Sequence, residues 1–501
     1  MSATIGRAAH VVLAAIVLGI LGQLLFFDVA IGVNFPIAIG LLVASGWLLK
    51  RPMTRVGRVD LWLGPAAVAF AAFAAIRADT TIVLLDALTG LGLAGAALAS
   101  YGRRTVVSRP FRQLLGLGLA VGGWVLAGAV PALAATRRRL PAGPDALRRA
   151  RPALPVLRGL LIAVPVVLVF MSLFSAADAV FARVLEDLTR VEVDLGSGAG
   201  RAALAAVLGW LTAGGLALAA SRPVSRPRPG AAVDAGWRLG TTETVTVLVA
   251  VDAIFVVFVA LQGAYLFGGL DTLAAAGLTY SEYARRGFFE LVAVAILAGG
   301  LVVVLERVVR HRSAAVIGAA VGLALLTGVV LASAAVRMRL YQEAYGWTEL
   351  RLYVLATIVV LAVALAALVV VLLRDRVRWI GHVVLASGLV VGLGLNVLGP
   401  VRFITEQNVA RALDPSLVPA HGISGLDTWY AVTLGDDAIP DLVRALSAVE
   451  EPEAGLLRDE LRIRLRQLQA DPGLRAWQAW NRGREEARSA LEAAAARGAL
   501  D

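Results

Sequence analysis

The chain of 501 residues is 59% hydrophobic and 17% charged, whereas soluble domains carry about 25% charged residues, so a water-soluble fold is excluded. The net charge of +11 does not indicate nucleic-acid binding, because the arginines cluster in short loops between apolar runs, where they suit lipid headgroups and orientation signals. The absence of cysteine excludes disulfides, thiolate nucleophiles and cysteine-ligated metals.

Apolar runs of about 20 residues, the length that crosses a bilayer, follow one another as far as residue 398. They are continuous instead of alternating, which predicts helices and not barrel strands. The first is interpreted as a retained helix and not as a signal peptide, because a second follows at once. Candidate spans lie near 8–27, 30–49, 61–76, 80–100, 113–135, 159–182, 201–220, 243–266, 288–308, 313–335, 352–373 and 379–398.

The predicted fold is an all-α, polytopic transmembrane helical bundle of about 11–13 spans, with a small soluble helical tail at the C-terminus. We divide the chain into N-terminal transmembrane helices at 1–158, core transmembrane helices at 159–399 and a tail at 400–501. The tail is acidic, with 12 Arg against 16 Asp and Glu. Its leucines at 457, 461, 465 and 468 form one stripe, which we expect to pack on a following helix near 474–496.

Clusters of basic residues predict which loops are cytoplasmic. They lie at 50–58, 103–112, 137–158 and 222–238. A single candidate span, 113–135, separates the second cluster from the third, so both cannot be cytoplasmic if that segment crosses once. An eleven- or thirteen-helix count would remove the conflict.

The second half of the chain has a consistent predicted orientation. The acidic loop 185–198 suits the outside. Counting forward from it, the loops at 267–287 and 336–351 and the whole tail face outward. We therefore expect a multi-pass protein of a bacterial plasma membrane with an extracytoplasmic tail.

Ionisable residues inside apolar spans are costly and mark candidate sites. The candidates that we select in the spans are Asp86, Asp178, Asp252 and Glu290, with the polar residues Gln262 and Asn396. For Asp86 the alternatives are a carboxyl that is protonated or paired with a neighbouring helix, and a proton or cation relay. Asp178, near an outer helix end, is expected to form a salt bridge.

Two outward loops are rich in Tyr, Arg and Glu. The first runs from Tyr280 to Glu290, and the second from Tyr341 to Tyr353. In the second, Thr348 is predicted to cap a helix that begins with Glu349. Such residues form either an aromatic belt with local ion pairs or a site for an anionic ligand. The candidate ligand-binding residues are Asp178, Gln262, Tyr265, Tyr283, Arg285, Glu290, Tyr345, Thr348, Glu349, Arg351 and Asn396.

No enzyme signature with a defined mechanism occurs, since the sequence lacks a Gly-x-Ser-x-Gly elbow, a His-Glu-x-x-His motif and a Walker loop. The four histidines are scattered without ligand spacing. No metal site, cofactor or catalytic residue is therefore predicted.

Several motifs of the second half resemble those of the bacterial membrane family called domain of unknown function 4173. They include Phe174-Ser-Ala-Ala-Asp178, Gln262-Gly-Ala-Tyr265, Tyr283-Ala-Arg-Arg-Gly287, Tyr345-Gly-Trp-Thr348-Glu349-Leu-Arg351, Asp427-Thr-Trp-Tyr430, Asp437-Ala-Ile-Pro440 and Trp480-Asn481-Arg482. The resemblance runs from about residue 159 to the end. It implies one bacterial membrane domain that includes the tail, and no activity.

Three functions remain open. The first is a non-enzymatic envelope protein for transport, sensing or assembly, which binds a small molecule, lipid or protein on its outer face. The second is a proton- or ion-coupled transporter that uses Asp86, Asp252 and Glu290. The third is a membrane enzyme acting on envelope or lipid-linked substrates, with several carboxylates converging in an outer cleft.

Overall fold

In a computed structural model the protein is built from helices joined by turns, with no strand among the described residues. Apart from a few single positions, the structure describes residues 2–50, 56–102, 106–109, 196–220, 239–267, 288–374 and 379–500. It describes only the backbone at 2–8, 261–267 and 288–290.

Eight helices of the described part are long and apolar enough to cross a membrane. A helix rises 1.5 Å per residue, so about 20 residues span the hydrocarbon core. Numbering all described helices in chain order, the eight are α1 (Ser2–Phe26), α4 (Thr80–Tyr101), α5 (Gly196–Ala220), α6 (Thr241–Phe267), α7 (Phe288–Val308), α8 (Ala314–Tyr345), α9 (Glu349–Leu373) and α10 (Ile380–Leu398). The predicted all-α polytopic bundle is confirmed, and the protein is a multi-pass membrane protein.

Two further apolar helices are shorter: α2 (Asn34–Leu49) and α3 (Leu63–Phe73). With 11 residues, α3 is about 16 Å long and shorter than the span predicted at 61–76. The regular helix ends at Phe73 and continues as a tight turn through Ala74 and Ala75, although the apolar run extends to Ile76. The predicted spans 113–135 and 159–182 lie largely outside the described residues, and the other predicted spans each coincide with a helix.

The chain forms two compact units, and the first comprises Met1–Ala75, Leu85–Ser225 and Pro472–Trp480. In this unit α1 packs along α5, with a core that includes Val11, Leu18 and Leu216. The turn after α1 pairs with the 472–480 segment, where the backbone nitrogen of Val33 donates to the carbonyl oxygen of Trp480 at 3.0 Å. A short piece of the tail sequence thus belongs to this unit.

The second unit comprises Ile76–Leu84, Arg226–Asp471 and Asn481–Asp501. In this unit α8 contacts α6, α7 and α9, and α9 contacts α10. Their shared core includes Leu248, Val302, Leu323 and Leu372. The division of the chain at residues 158 and 399 stays a prediction.

The tail helices of the second unit form a small core of their own. They are α11 (Pro400–Leu413), α12 (Thr428–Ala431), α13 (Ile439–Ala445), α14 (Glu453–Ala470) and α16 (Arg482–Ala496), while α15 (Pro472–Arg475) lies in the first unit. Leu457, Leu461 and Leu468 are buried, and α14 packs on α16 as the leucine stripe predicts. The partner helix begins at Arg482, eight residues later than expected, because Asn481 caps it.

Candidate functional site

The turn between α8 and α9 is built by helix capping. The hydroxyl of Thr348 accepts a hydrogen bond from the backbone nitrogen of Arg351 at 3.4 Å, and α9 begins at Glu349. A β-hydroxyl at this position satisfies one of the unpaired amides of a helix start. The predicted cap is confirmed.

Arg351 closes the other side of this turn. Its guanidinium donates to the carbonyl oxygens of Tyr345 at 3.1 Å and Gly346 at 2.5 Å, and it lies 4.2 Å from the ring centroid of Tyr341. A cation at a helix C-terminus donates hydrogen bonds to the free carbonyls and interacts favourably with the negative end of the helix dipole. Arg351 therefore binds the C-terminal end of α8, including the backbone carbonyl of Tyr345.

The tail helix α11 holds the same turn from its other side. The amide of Asn408 forms two hydrogen bonds with the backbone of Trp347, both 2.8 Å long. Arg411 donates to the carbonyl oxygen of Glu343 at 2.8 Å, and burial, followed by the charge of Arg351, lowers the pKa of Arg411. Gly346 has φ +77°, and a side chain there would strike Asn408. The turn is therefore fixed by structural contacts.

Three carboxylates and two tyrosines meet beside this turn. The hydroxyl of Tyr430 accepts a hydrogen bond from the backbone nitrogen of Glu349 at 2.8 Å, and the hydroxyl of Tyr353 lies 3.5 Å from Asp79. Burial, then the charge of Glu349, and to a smaller extent that of Asp437, raise the pKa of Asp79 to about 6. Burial also raises the pKa of Tyr430. Of the sequence-derived candidates whose side chains the structure describes, only Glu349 belongs to this group.

The residues between α3 and α4, here called the connector (76–79), are held along their backbone by the tail. Gly483 donates to the carbonyl oxygen of Ile76 at 3.2 Å, and the amide of Asn481 donates to that of Arg77 at 2.7 Å. The backbone nitrogen of Ala78 donates to Asp437 at 2.9 Å. The connector thus satisfies its polar backbone groups with residues of the tail.

Arg77 points from the connector to the end of α10. Its Nε donates to the carbonyl oxygen of Asn396 at 3.0 Å, and its terminal nitrogen donates to that of Val397 at 3.3 Å. The next residue but one, Gly399, has φ +70°, which ends the helix and admits the guanidinium. Asn396 is fully buried and binds the carbonyl oxygen of Gly392 through its own amide. Asn396 therefore reaches the site through its backbone.

A polar pocket of about 200 Å³ opens beside Arg77. We call it the guanidinium pocket, because three arginines line it with two carboxylates and a few apolar residues. Its lining is Ile76, Arg77, Val397, Leu398, Arg402, Asp437, Pro440, Arg482, Gly483 and Glu486. Glu486 accepts from Arg482 at 2.8 Å and from Arg402 at 3.3 Å. The pocket combines a surplus of guanidinium groups with an apolar edge.

The remaining sequence-derived candidates are distributed as follows. Asp178, Tyr283 and Arg285 lie outside the described residues, and for Gln262, Tyr265 and Glu290 only the backbone is described. The described part contains no group of three or more His, Asp or Glu side chains able to hold a metal ion. The proposed convergence of all these residues stays a prediction.

The sequence did not predict that Arg77, Asp79, Asp437, Tyr430 and Asn481 belong to one site. A signal was present in the polar break Arg77-Ala-Asp79 between two apolar runs. The tail residues stand in the motifs Asp427-Thr-Trp-Tyr430, Asp437-Ala-Ile-Pro440 and Trp480-Asn481-Arg482. No pattern in the sequence indicated that the segment Arg77-Ala-Asp79 contacts these motifs.

Comparison with known proteins gives one family. A family model described as "Domain of unknown function (DUF4153)" matches residues 65–445, and the chain belongs to this family. The resemblance to domain of unknown function 4173 therefore named the wrong family, although an uncharacterised domain was expected correctly. No curated protein and no solved structure matches the chain.

Proposed function

Starting from membership of a family whose description states no activity, we propose that the protein is a non-enzymatic component of the bacterial envelope. It binds a ligand or partner on its outer face and serves transport, sensing or assembly. The observation that carries this proposal is the guanidinium pocket, a charged cavity at the end of a membrane span. Concave sites on which polar or charged groups converge are candidates for ligand recognition.

The distribution of the polar residues favours binding over catalysis. Thr348 and Arg351, two of the sequence-derived candidates, are occupied with the helix ends beside them. The guanidinium pocket, by contrast, keeps Arg402 and Arg482 on its surface, where a ligand can reach them. Arginines in an open pocket bind anions without any need for an acid or base.

The charge distribution of the second unit supports an outward tail. The end of α8, the start of α9 and the end of α10 lie beside the tail helices. The opposite ends of these spans carry Arg310, Arg312, Arg374 and Arg376. Because basic loops stay in the cytoplasm, this arrangement favours a cytoplasmic side at those arginines and an extracytoplasmic tail.

Occupancy of the pocket is testable by thiol protection, since the chain contains no cysteine. Pro440→Cys places a thiol in the pocket lining, and Ser447→Cys provides an exposed control in the same tail. We expect a membrane-impermeant maleimide to modify position 440 more slowly in native membranes than in purified protein, with no such difference at position 447. Equal protection factors at the two positions would contradict a binding site in the pocket.

Asp252 favours a second candidate, a proton- or ion-coupled transporter. Its Oδ1 is buried and has no hydrogen-bond partner among the described residues, and its carboxylate faces Gly322 across the α6–α8 contact. A buried carboxyl inside a span is typical of an ion relay. Asp86 is also buried, but in the first unit.

A transport assay separates this second candidate from the first. In proteoliposomes with an imposed pH gradient, a coupled transporter collapses the gradient faster than protein-free vesicles do. Asp252→Asn would abolish that effect, while Glu243→Gln at the start of the same helix would preserve it. A wild-type protein that leaves the gradient intact argues against proton coupling.

A further inference from the structure

We propose that the guanidinium pocket binds a single phosphate group, carried by an anionic phospholipid headgroup or by a soluble phosphate ester. This inference rests on the proposed function and names the ligand class of the same site. It follows from three features of the pocket: its charge, its size and its edge.

The charge of the pocket favours an anion. One carboxylate, Glu486, is shared between Arg402 and Arg482, so among the described residues neither guanidinium has a carboxylate of its own. Arg77 donates its hydrogen bonds to neutral backbone carbonyls. Guanidinium groups bind phosphate through paired, charge-assisted hydrogen bonds, which makes a phosphate oxygen the matching acceptor.

Asp437 opposes an anion less than its formal charge indicates. Its carboxylate accepts a hydrogen bond from Ala78, and its side chain is largely buried beneath the pocket. Burial raises the pKa of Asp437, although the hydrogen bond to Ala78 and the charge of Arg77 act in the opposite direction. The net charge of the lining is therefore positive whether Asp437 is ionised or protonated.

The size of the pocket limits the ligand to a small group. At about 200 Å³ it is below the about 300–1,000 Å³ of cavities that enclose a drug-sized molecule. A phosphate with its nearest atoms fits such a volume, while the rest of the ligand must lie outside.

The edge of the pocket is apolar and continues along a membrane span. Val397 and Leu398, at the lip, are 75% and 44% exposed, and the exposed side chains of Val390 and Leu393 extend the same surface along α10. A phospholipid has this division, with a phosphate at the interface and acyl chains along the span. The edge therefore favours a lipid as the source of the phosphate.

The test uses purified full-length protein in detergent and measures bound lipid by native mass spectrometry. Arg402→Gln with Arg482→Gln removes two pocket charges. The control, Arg488→Gln with Arg497→Gln, removes one charge from α16 and one from its C-cap, both outside the pocket lining. We expect wild type to retain phosphatidylglycerol about tenfold better than phosphatidylcholine. The pocket variant should lose this preference and the control variant should keep it.

A second variant is expected to increase lipid retention, a result that misfolding of the protein would not produce. Glu486→Gln removes the carboxylate that competes for the two arginines, so phosphatidylglycerol retention should rise above wild type. Glu492→Gln, on the same helix and outside the pocket lining, serves as its control and should bind as wild type does.

Inorganic phosphate and glycerol phosphate distinguish the two sources. Retention of phosphatidylglycerol against millimolar inorganic phosphate supports a lipid ligand, whereas a thermal shift with either soluble anion and no lipid preference supports a soluble ester. Absence of both responses in wild type, or equal loss in the pocket and control variants, overturns the inference. Thiol protection at position 440 that survives such a result would leave the proposed function standing with another ligand.

Discussion

Asp79 is a residue of the site whose pKa is raised by burial and by neighbouring charges. It is 3% exposed, it lies near Glu349 and Asp437, and its own carboxylate accepts a hydrogen bond from Thr81 at 2.8 Å. Burial and the neighbouring charges raise its pKa to about 6, against an ordinary value of 3.8. Tyr353 and Tyr430 complete its polar surroundings.

This shift makes stability depend on pH. An acid whose pKa is higher in the folded state contributes stability below its ordinary pKa of 3.8, and this contribution is lost as pH rises through about 6. The contribution of Asp79 is at most about 3 kcal/mol. We expect the melting temperature in detergent to fall as the pH rises from 4.5 to 7.5. It should fall less in Asp79→Asn, whose side-chain oxygen can still accept the hydrogen bond from Thr81 at the start of α4. Asp459→Asn, an exposed control, should behave as wild type, and an unchanged pH slope in Asp79→Asn would refute the assignment.

Thr348 permits a local stability prediction. Thr348→Ala removes the side-chain cap of α9 and should lower the free energy of unfolding by about 1 kcal/mol. Thr348→Ser retains the hydroxyl and should restore most of it. Thermal unfolding followed by tryptophan fluorescence measures both, and equal stability of the Ala and Ser variants would be the contrary result.

These residues differ in how far the sequence predicts them. The cap at Thr348 was predictable because a cap depends on amides only three positions away. The bond between Ala78 and Asp437 joins residues 359 positions apart, and no local pattern encodes such a pairing. The pocket was missed for the same reason, although each of its sequence motifs was visible.

At the scale of elements, α16 links the tail core to the connector. Its cap, Asn481, accepts from the backbone nitrogen of Arg484 at 3.0 Å and donates to the carbonyl oxygen of Arg77 at 2.7 Å. Arg464 binds both oxygens of Asp436 at 2.7 Å, and this hydrogen bonding raises the pKa of Arg464. Asn481, at the start of α16, therefore forms hydrogen bonds with its own helix and with the connector.

Asn481→Ala should consequently cost more than a simple cap. It removes the cap, worth about 1 kcal/mol, and leaves the carbonyl of Arg77 without this donor, for a total of about 2–3 kcal/mol. Asn481→Ser keeps the capping function but is too short to reach Arg77, so its stability should lie between wild type and the alanine variant. Denaturant unfolding of the three proteins gives the order, and a serine variant as unstable as the alanine variant would exclude the dual role.

Most spans could be predicted because apolar length is a local property of the sequence. The span at 61–76 was predicted too long, because its apolar run extends to Ile76, beyond the end of α3 at Phe73. The leucine stripe of α14 predicted its packing on the next helix, since helical periodicity fixes which side chains share a face. The late start of that helix depended on Asn481 and its distant partner.

At the scale of the whole molecule, the first unit bears on the topology. A side chain on Gly102 would lie 2.6 Å from the carbonyl oxygen of Leu218, so the C-terminal ends of α4 and α5 lie together. Because α5 has 25 residues, about 37 Å, its start at Gly196 lies at the opposite end. Gly102 and Gly196 therefore lie at opposite ends of α5.

The charge rule predicts that the basic clusters at 103–112 and 137–158 are both cytoplasmic. Introduced cysteines at Arg104 and Arg148 should then resist a membrane-impermeant thiol reagent in intact cells and react after permeabilisation. Reaction of either position in intact cells would identify the cluster that breaks the charge rule.

The measurement that tests the account most directly is the sidedness of the second unit. Ser447→Cys reports on the tail, and Arg374→Cys reports on the opposite ends of the spans. An outer-face site predicts that the impermeant reagent labels position 447 in intact cells and labels position 374 only after permeabilisation. The reverse pattern would place the guanidinium pocket in the cytoplasm and contradict the proposed envelope function.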